Sequence, residues 1–452
     1  MEAERAQLYP FVSRPGATPP VIARTEGVYL ITPDGRKILD AAGGAVVANI
    51  GHGRREVGDA YARAVAEATY LVPPFVTESR VRLVETLRRN WLPPELTRVV
   101  FTSGGSESMD AAIRLSRQHH LSAGRQSRWK VIGRDLSYHG TTLATLAIGG
   151  HLKRRVGFEP WLASLPKAPA CYCLRCPLEK TYPSCVEANR GPACAADLER
   201  LIAAEGAETI AAFVAEPIVG STAGALVPVD EYWPAIADIC RRHGILLIAD
   251  EVMTGFGRTG KRFAVEHWNL VPDILVGGKG LTGGYAPMGG IFAREEVIEP
   301  IAKRGDELMF FTYGGHPASC AAAGAVLDIL ERENLVERAA VMGEKLKRCL
   351  ADRLDDHPHV AEVRGRGLLL AVEVVEDRAT MAPFPKQANL TAKIVGAGLG
   401  YGTFFYPSGC DPARDVITLG PPFILEDEHV EQIADHLGKS IDSAVDRVST
   451  RS

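Results

Sequence analysis

A lysine surrounded by glycines is the side chain of this sequence best placed for covalent chemistry. Lys279 stands in the stretch GGKG of residues 277–280, directly after the apolar run Asp273–Val276. The phosphate-binding pattern Gly-x-x-x-x-Gly-Lys-Ser/Thr fails at both ends, because an aspartate occupies its first position and a glycine follows the lysine. We therefore expect a Schiff-base lysine, whose amine must be accessible and must have a pKa lowered by its surroundings.

A carboxylate at the end of a second apolar run is the next candidate. Asp250 follows Ile245–Ala249, so it comes at the edge where open α/β sheets bind their ligands. Burying an aspartate is costly unless it meets a cation or hydrogen-bond donors. Asp250 is therefore expected to face a positive partner such as a protonated ring nitrogen. A helix-capping or ion-paired structural aspartate is the open alternative.

A turn rich in glycine and serine could hold a phosphate group. The stretch FTSGGSESMD of residues 101–110 lies between a predicted strand and a predicted helix. Gly104 and Gly105 allow close approach of the backbone, Ser106 offers a hydroxyl, and the N–H groups of a helix N-terminus favour anions. An ordinary turn with a serine capping the helix is equally compatible. A serine-hydrolase elbow is excluded, because Gly-x-Ser-x-Gly fails at Ser108, where its last glycine should stand.

A competing motif for a dinucleotide is present but poorly placed. The stretch GFGRTG of residues 255–260 matches Gly-x-Gly-x-x-Gly. Residues 250–254 separate it from the preceding strand, and no acidic strand end follows at the distance that a ribose ligand requires. Nicotinamide and flavin binding are therefore disfavoured.

Five of the nine cysteines fall in one short stretch rich in proline and tyrosine. They are Cys171, Cys173, Cys176, Cys185 and Cys194. Thiolates at such spacing could ligate zinc, but only one Cys-x-x-Cys pair is present. A surface insertion loop with free or partly buried thiols is the preferred interpretation, and a reducing compartment disfavours disulfides.

The central part of the chain alternates short apolar runs with helical patterns. The runs, which lack polar alternation, are Arg98–Phe101, Lys130–Gly133, Ile210–Ala215, Ile245–Ala249 and Asp273–Val276. Helical segments such as Ala111–Leu121 and Glu231–His243 separate most of them. This alternation predicts an α/β domain whose mostly parallel sheet is covered on both faces.

The two ends of the chain have a different pattern. Residues Gly27–Asp40 predict a hairpin, Glu362–Val375 is strand-like, and Glu428–Val445 predicts an amphipathic helix. These segments predict a smaller α+β domain built from both termini. We expect residues 1–75 and 326–452 to form this domain and residues 76–325 to form the large one.

Composition narrows the possible partners. A net charge of -4 over 452 residues gives no indication of a nucleic-acid or membrane-surface partner. The basic pair Arg154–Arg155 is expected to be a solvated helix face. The polar start at Met1 and the lack of a ~20-residue apolar run favour a cytoplasmic protein.

The motifs together resemble the class III (subgroup II) aminotransferases of pyridoxal-5′-phosphate (PLP) fold type I. The most specific stretches are LLIADEVMTGFGRTGK, PDILVGGKGLTGGYAPMGG and FTYGGHP, and the resemblance covers nearly the whole chain. It implies a large domain with a mostly parallel, seven-stranded type of sheet beside a small α+β domain. It also implies bound PLP, amine and keto-acid substrates, and a homodimer, with a tetramer left open.

The resemblance assigns a role to each motif residue. Lys279 should bind PLP covalently and later shuttle the proton, and Asp250 should pair with the ring nitrogen. Tyr138 and Val252 should pack on opposite faces of the ring, while Glu216 should lie near its hydroxyl. The cofactor-binding group also contains the phosphate residues Gly104, Gly105 and Ser106, a neighbouring subunit's Thr312, and His139, for which a structural role is equally open.

The substrate side is less well determined by the sequence. The segment from Glu216 to Ser221 lacks the Gln-Gly-Glu of γ-aminobutyrate and ornithine types, so the chain looks more like pyruvate-dependent ω-amino acid and amine transaminases. The expected substrate contacts are Val46, Phe75 and Arg414. Val46 would open the pocket to bulky amines. Arg414 would bind a carboxylate; an alternative register of a few residues places Asp411 at the family's arginine position.

Other activities remain open at this point. An aminomutase, a racemase, a dialkylglycine decarboxylase and a 2-oxoglutarate-dependent aminotransferase use the same fold. A non-catalytic protein on this scaffold is disfavoured, because Lys279 and Asp250 are both retained.

Overall fold

The computed structural model describes residues 20–188, 190–308 and 310–449. The polar start of the chain, including Met1, lies outside the described residues. The strands are β1 Arg24–Glu26, β2 Tyr29–Ile31, β3 Lys37–Asp40, β4 Arg98–Thr102, β5 Lys130–Arg134, β6 Lys167–Ala168, β7 Val186–Glu187, β8 Gly191–Pro192, β9 Ile210–Ala215, β10 Leu246–Asp250, β11 Ile274–Gly277, β12 Gly289–Ala293, β13 Val360–Arg366, β14 Leu369–Val374, β15 Thr403–Phe404, β16 Tyr406–Cys410 and β17 Ala413–Leu419.

Helices of six residues or more are labelled in chain order. They are α1 Arg55–Glu67, α2 Glu78–Thr86, α3 Gly105–Ser122, α4 Leu143–Ile148, α5 Ala193–Glu205, α6 Tyr232–His243, α7 Glu295–Arg304, α8 Pro317–Arg332, α9 Leu335–Leu354, α10 Leu390–Tyr401 and α11 Asp427–Ser449. In the part of the chain that the structure describes, none of them is long and apolar enough to cross a membrane.

A seven-stranded sheet forms the centre of the molecule. Its strand order is β4-β12-β11-β10-β9-β5-β6, and β12 runs antiparallel to both of its neighbours. The pairs β5–β9, β9–β10 and β10–β11 are parallel. Residues of β9, β10 and β11 are buried throughout, as expected where helices cover both faces. The predicted α/β class is confirmed.

Each of the five predicted apolar runs forms a strand of this sheet. The sequence did not predict β12, because its residues GGIFA begin with two glycines and give a weak strand pattern. Gly289 is required by packing: a Cβ on it would lie 2.3 Å from the Ser108 hydroxyl oxygen. The antiparallel strand therefore lies close against the start of α3.

Two four-stranded sheets and a two-stranded sheet of β7 and β8 contain the strands outside this centre. The predicted hairpin is formed by β2 and β3, and β3 also pairs in parallel with β15 from the C-terminal part. The strand-like segment near residue 362 is two strands, β13 and β14, which pair with β17 and β16 in the order β13-β14-β17-β16. Gly367, with φ +54°, allows the turn between them. The proposed division at residues 75 and 325 stays a prediction.

The GFGRTG stretch is a packing element. Gly257 lies against Phe423, and a Cβ on Gly260 would be 2.7 Å from the Ala340 Cβ. These glycines therefore allow close contact between this loop and the C-terminal part of the chain.

Gly133 in β5 should be intolerant of any side chain. A Cβ there would lie 2.0 Å from the Ile148 carbonyl oxygen at the end of α4. We expect Gly133→Ala to destabilise the fold by about 1–3 kcal/mol through overpacking, measured by calorimetric unfolding. Gly58→Ala in α1 is the matched control, since no atom lies within 4 Å of its new Cβ. It should stabilise by about 0.5–1 kcal/mol, and equal effects of the two changes would contradict the prediction.

Candidate active site

The seven-stranded sheet brings Asp250 and Lys279 to the same edge. Asp250 is the last residue of β10, and its register partner on the parallel strand β11 is Val276. Lys279 follows β11 after a short turn and adopts a left-handed φ of +41°. Because parallel neighbours end at the same edge, residues 29 positions apart in sequence come close together, and the Asp250 charge acts on the Lys279 amine.

Lys279 lies in a desolvated but acidic environment. Burial lowers the pKa of its amine to about 8, while the nearby charges of Asp250 and Glu216 oppose that shift. The cations Arg258 and Arg154 lower it further. A substantial fraction of the amine is therefore neutral near pH 8, as a nucleophilic lysine requires.

The hydrogen bonds of Asp250 account for its burial. The carboxylate is 4% exposed; Oδ1 accepts from the backbone N–H of Val252 at 3.1 Å, and Oδ2 lies 2.8 Å from Nδ1 of His139. His139 is itself buried, and its Nε2 has no hydrogen-bond partner. His139 therefore orients the carboxylate, which is neither a helix cap nor bound to an arginine in the described residues.

Glu216 anchors the segment that carries Tyr138. Its Oε2 accepts from the Tyr138 N–H at 3.0 Å, and its Oε1 accepts from the Gly220 N–H at 2.8 Å. Arg134 donates to the Glu216 carbonyl at 2.7 Å. Burial raises the pKa of the Glu216 carboxyl, and the neighbouring Asp250 raises it further. This residue thus holds two loops against each other.

The glycine- and serine-rich turn meets the other segments closely. Helix α3 begins at Gly105, where a Cβ would be 2.8 Å from the Val252 Cγ1. The Ser106 hydroxyl accepts from the Thr141 N–H at 3.2 Å. An 18-residue helix therefore directs its N-terminus at the place where Val252 and the Tyr138 segment converge, which suits an anionic group.

Two residues predicted for the site lie on the outer surface of this single chain. Phe75 is 62% exposed, and Thr312 is exposed next to Tyr313. The rings of Tyr70 and Tyr313 are in contact, with centroids 6.3 Å apart. Segments 70–76 and 310–313 thus form one exposed apolar surface.

Val46 and Arg414, the other two predicted substrate contacts, are each held by contacts within the chain. Val46 is 2% exposed, has a φ of +59° and packs against Gly420. The turn that contains Val46 is held by the Asp40 carboxylate, which accepts a hydrogen bond from the Gly44 N–H at 2.9 Å. Arg414 is 12% exposed; its guanidinium donates to the Phe384 carbonyl and to Asp411.

Arg154 is exposed, as expected of a solvated face, but the sequence did not predict its contact with Tyr138. Its guanidinium carbon lies 4.5 Å from the centre of the Tyr138 ring, and Nη1 is 3.4 Å from the Tyr138 hydroxyl. The adjacent Arg155 instead donates to the carbonyls of Ala147 and Gly149. The sequence does not predict that the two adjacent arginines have different partners, because those partners depend on the direction of the chain after α4.

The cysteine-rich stretch carries free thiols. Cys171 and Cys194 are buried, Cys173 is exposed, and Cys176 and Cys185 are half-buried. Within residues 20–188, 190–308 and 310–449, no three His, Cys, Asp or Glu side chains are arranged to hold a metal ion. The zinc alternative therefore gains no support from the arrangement of the thiols.

Known proteins resemble this chain over nearly its whole length. The family model for aminotransferase class-III matches residues 12–441. An uncharacterized aminotransferase of Schizosaccharomyces pombe is 35% identical over 444 residues, covering 97% of this chain and 95% of that protein. The putrescine–pyruvate aminotransferase of Pseudomonas aeruginosa is 32% identical, covering 93% and 90%.

A solved structure extends the similarity to the whole fold. The omega transaminase of Pseudomonas jessenii in complex with PMP superimposes with a TM-score of 0.91 at 31% identity, covering 99% of each chain. The match of the family model over nearly all of the sequence is decisive. This chain belongs to the class III aminotransferase family.

Proposed function

We propose that this aminotransferase moves an amino group from an amine or ω-amino acid to a keto acid, with pyruvate as the acceptor. The observation that carries the proposal is the segment from Glu216 to Ser221, which ends in a serine and has no Gln-Gly-Glu. Because position 221 is a serine, whose side chain is buried, it offers no carboxylate to gate substrates. The Pseudomonas aeruginosa relative whose name includes pyruvate supports the same acceptor.

The residues present fit the family's cofactor, PLP. Bound PLP supplies an electron sink for the bond broken at the substrate's α-carbon. Asp250 would face the ring nitrogen, and its buried carboxylate favours the protonated form of that nitrogen. Tyr138 and Val252 would pack on the two ring faces. Gly104, Gly105 and Ser106 would hold the phosphate, because the N-terminus of α3 favours an anion there.

Lys279 would perform both the covalent attachment and the proton transfer. Its amine has a pKa of about 8, which leaves it able to accept a proton near neutral pH and to return it. His139 is a positioning residue, because it contacts the Asp250 carboxylate at 2.8 Å. Glu216 would hold Tyr138 in place and lie near the ring hydroxyl.

A homodimer would complete the site. Thr312 would contribute to the phosphate site of the neighbouring subunit, and Phe75 would reach that subunit's substrate pocket. The exposed apolar surface formed by segments 70–76 and 310–313 supports this arrangement, since contiguous apolar surface marks interaction sites. In this proposal Val46 and Arg414 line the substrate side of the same pocket.

Separate half-reactions test the proposed function. The PLP-loaded enzyme should convert 1-phenylethylamine to its ketone, and the aminated enzyme should then convert pyruvate to alanine faster than it converts 2-oxoglutarate to glutamate. Preference for 2-oxoglutarate would contradict the acceptor assignment. Release of CO2 would instead indicate a decarboxylase. Reaction without consumption of the keto acid would indicate a racemase or an aminomutase.

A further inference from the structure

We propose that Asn49 is a positioning residue, whose side-chain amide holds the turn of Lys279 against the loop that follows Asp250. The inference rests on the proposed role of Lys279 and names a residue that would direct its amine. Asn49 is 1% exposed and lies three residues after Val46 in the sequence. It belongs to none of the motifs that singled out the candidate site.

The backbone at Lys279 has an unusual conformation that needs support. Its φ of +41° lies in the left-handed region, which costs free energy for a residue with a side chain. The N–H groups of Thr282 and Gly283 donate to the Lys279 carbonyl at 3.2 and 3.1 Å, but these bonds lie within the turn itself. The Gly280 carbonyl attaches the turn to a different segment, because it accepts from Nδ2 of Asn49 at 2.9 Å.

The same amide also binds a second segment. Nδ2 of Asn49 donates to the Phe256 carbonyl at 3.3 Å, and Oδ1 accepts from the Ile50 N–H at 2.9 Å. A primary amide carries two N–H donors on one nitrogen, so one side chain can bind two carbonyls. Because both partners of Nδ2 are carbonyls and the partner of Oδ1 is an N–H, the hydrogen bonds determine the orientation of the amide.

The second segment continues directly from the strand that ends at Asp250. Phe256 lies six residues after Asp250, is fully buried and has a φ of +55°. Asn49 thus bridges Phe256 and the residue next to Lys279, two places where a residue with a side chain has a left-handed backbone. Such conformations persist only where the surrounding structure determines them. The shared amide holds the two strained segments in one relative position.

Close packing around the amide leaves no room for a different arrangement. A Cβ on Gly283 would lie 2.9 Å from Oδ1 of Asn49, and a Cβ on Gly280 would lie 3.1 Å from its Nδ2. The latter Cβ would also lie 3.1 Å from the Phe256 Cβ. The main chain of Asn49 is fixed as well, because its carbonyl accepts from the Phe423 N–H at 2.7 Å. The amide therefore has a single position between the two segments.

The first test removes both donated hydrogen bonds with Asn49→Ala. Covalent attachment of PLP to the apoenzyme should slow by about 10- to 100-fold, because a displacement of about 1 Å in a reacting group can cost that much. Mass spectrometry of the Lys279 peptide, after borohydride reduction at timed intervals, measures the rate. Single-turnover reaction with 1-phenylethylamine should slow similarly, while the amine concentration for half-maximal rate changes by less than about threefold.

Asn90→Ala is the matched control for this substitution. The Asn90 amide donates to the Glu331 carboxylate at 2.9 Å, outside both segments. This variant should have a lower melting temperature but wild-type rates of PLP attachment and amine reaction. A purely structural role of Asn49 would likewise lower the melting temperature without this selective loss of rate.

Hydrogen exchange of the apoenzyme examines the turn without any cofactor. The amides of Thr282 and Gly283 should exchange about tenfold faster in Asn49→Ala, since the turn opens more often once its attachment is lost. Asn90→Ala should leave their exchange unchanged. If wild type carries no cofactor mass on the Lys279 peptide, the proposed role of Lys279 is wrong, while this exchange still tests whether Asn49 holds the turn.

Asn49→Asp separates the hydrogen bonds from the shape of the side chain. Burial raises the pKa of a carboxyl, so the new acid should be protonated at about pH 6, where it can donate one hydrogen bond. PLP attachment at that pH should be faster than in Asn49→Ala, and its ratio to wild type should fall as rising pH ionises the acid. Attachment in Asn49→Ala within about threefold of wild type, parallel losses in Asn90→Ala, or a pH-independent ratio in Asn49→Asp would overturn the inference. If Asn49→Ala does not fold, the Asn49→Asp ratio decides alone.

Discussion

Asp250→Asn should slow transamination by about 10- to 1000-fold while leaving the protein folded. An opposite charge at short range shifts a pKa by about 1–3 units, and each unit corresponds to a tenfold change in the protonated population. Losing the carboxylate therefore lowers the fraction of PLP whose ring nitrogen is protonated. The asparagine has nearly the same shape and can still accept from the Val252 N–H, so the fold should persist. Single-turnover reaction with an amine measures the change.

A chemically modified cofactor distinguishes loss of the Asp250 charge at the ring nitrogen from structural damage in Asp250→Asn. PLP methylated on its ring nitrogen is permanently positive there, so it should restore much of the rate in Asp250→Asn. Glu251→Gln is the matched control. Glu251 is the adjacent buried acid, but it accepts from the Val265 N–H at 2.8 Å and from Thr254. Equal losses in both variants, with no rescue by the methylated cofactor, would contradict the assignment of Asp250.

Lys279→Ala should lose covalent attachment of PLP and nearly all turnover. General acid–base catalysis alone contributes about 100- to 10,000-fold, and the variant also loses the amine that holds the cofactor. After borohydride reduction, mass spectrometry should find the added cofactor mass on the Lys279 peptide of wild type and none in the variant. Added methylamine should restore a small part of the proton transfer. Lys261→Ala, an exposed lysine nearby, is the control and should behave as wild type.

The pH dependence of PLP attachment checks the environment of this lysine. Burial lowers the pKa of the Lys279 amine to about 8, so the neutral nucleophile is already abundant above that pH. The attachment rate of the apoenzyme should rise about tenfold per pH unit below the pKa and level off above it. A rise that continues to the ordinary lysine pKa would show that burial does not control the amine.

The residues of the site differ in how far local sequence could identify them. Lys279 and Asp250 follow apolar strands, and their chemistry is unusual at such positions, so each could be singled out from its neighbours alone. The hydrogen bond between His139 and Asp250 joins residues 111 positions apart, and no local pattern predicts it. Arg154 is exposed, as a pair of arginines ordinarily indicates, but no local pattern predicts its contact with the Tyr138 ring.

The sequence by itself determined the class of fold, the five apolar strands and the family whose chemistry Lys279 and Asp250 belong to. These follow from local causes, since apolar runs, turn glycines and motif spacing act over a few residues. Only the tertiary structure decided the strand order, the insertion of β12, and which side chains meet at the sheet edge. Those depend on contacts between distant segments, whose packing is not expressed in any single stretch. The contact between Arg154 and the Tyr138 ring belongs to that second group.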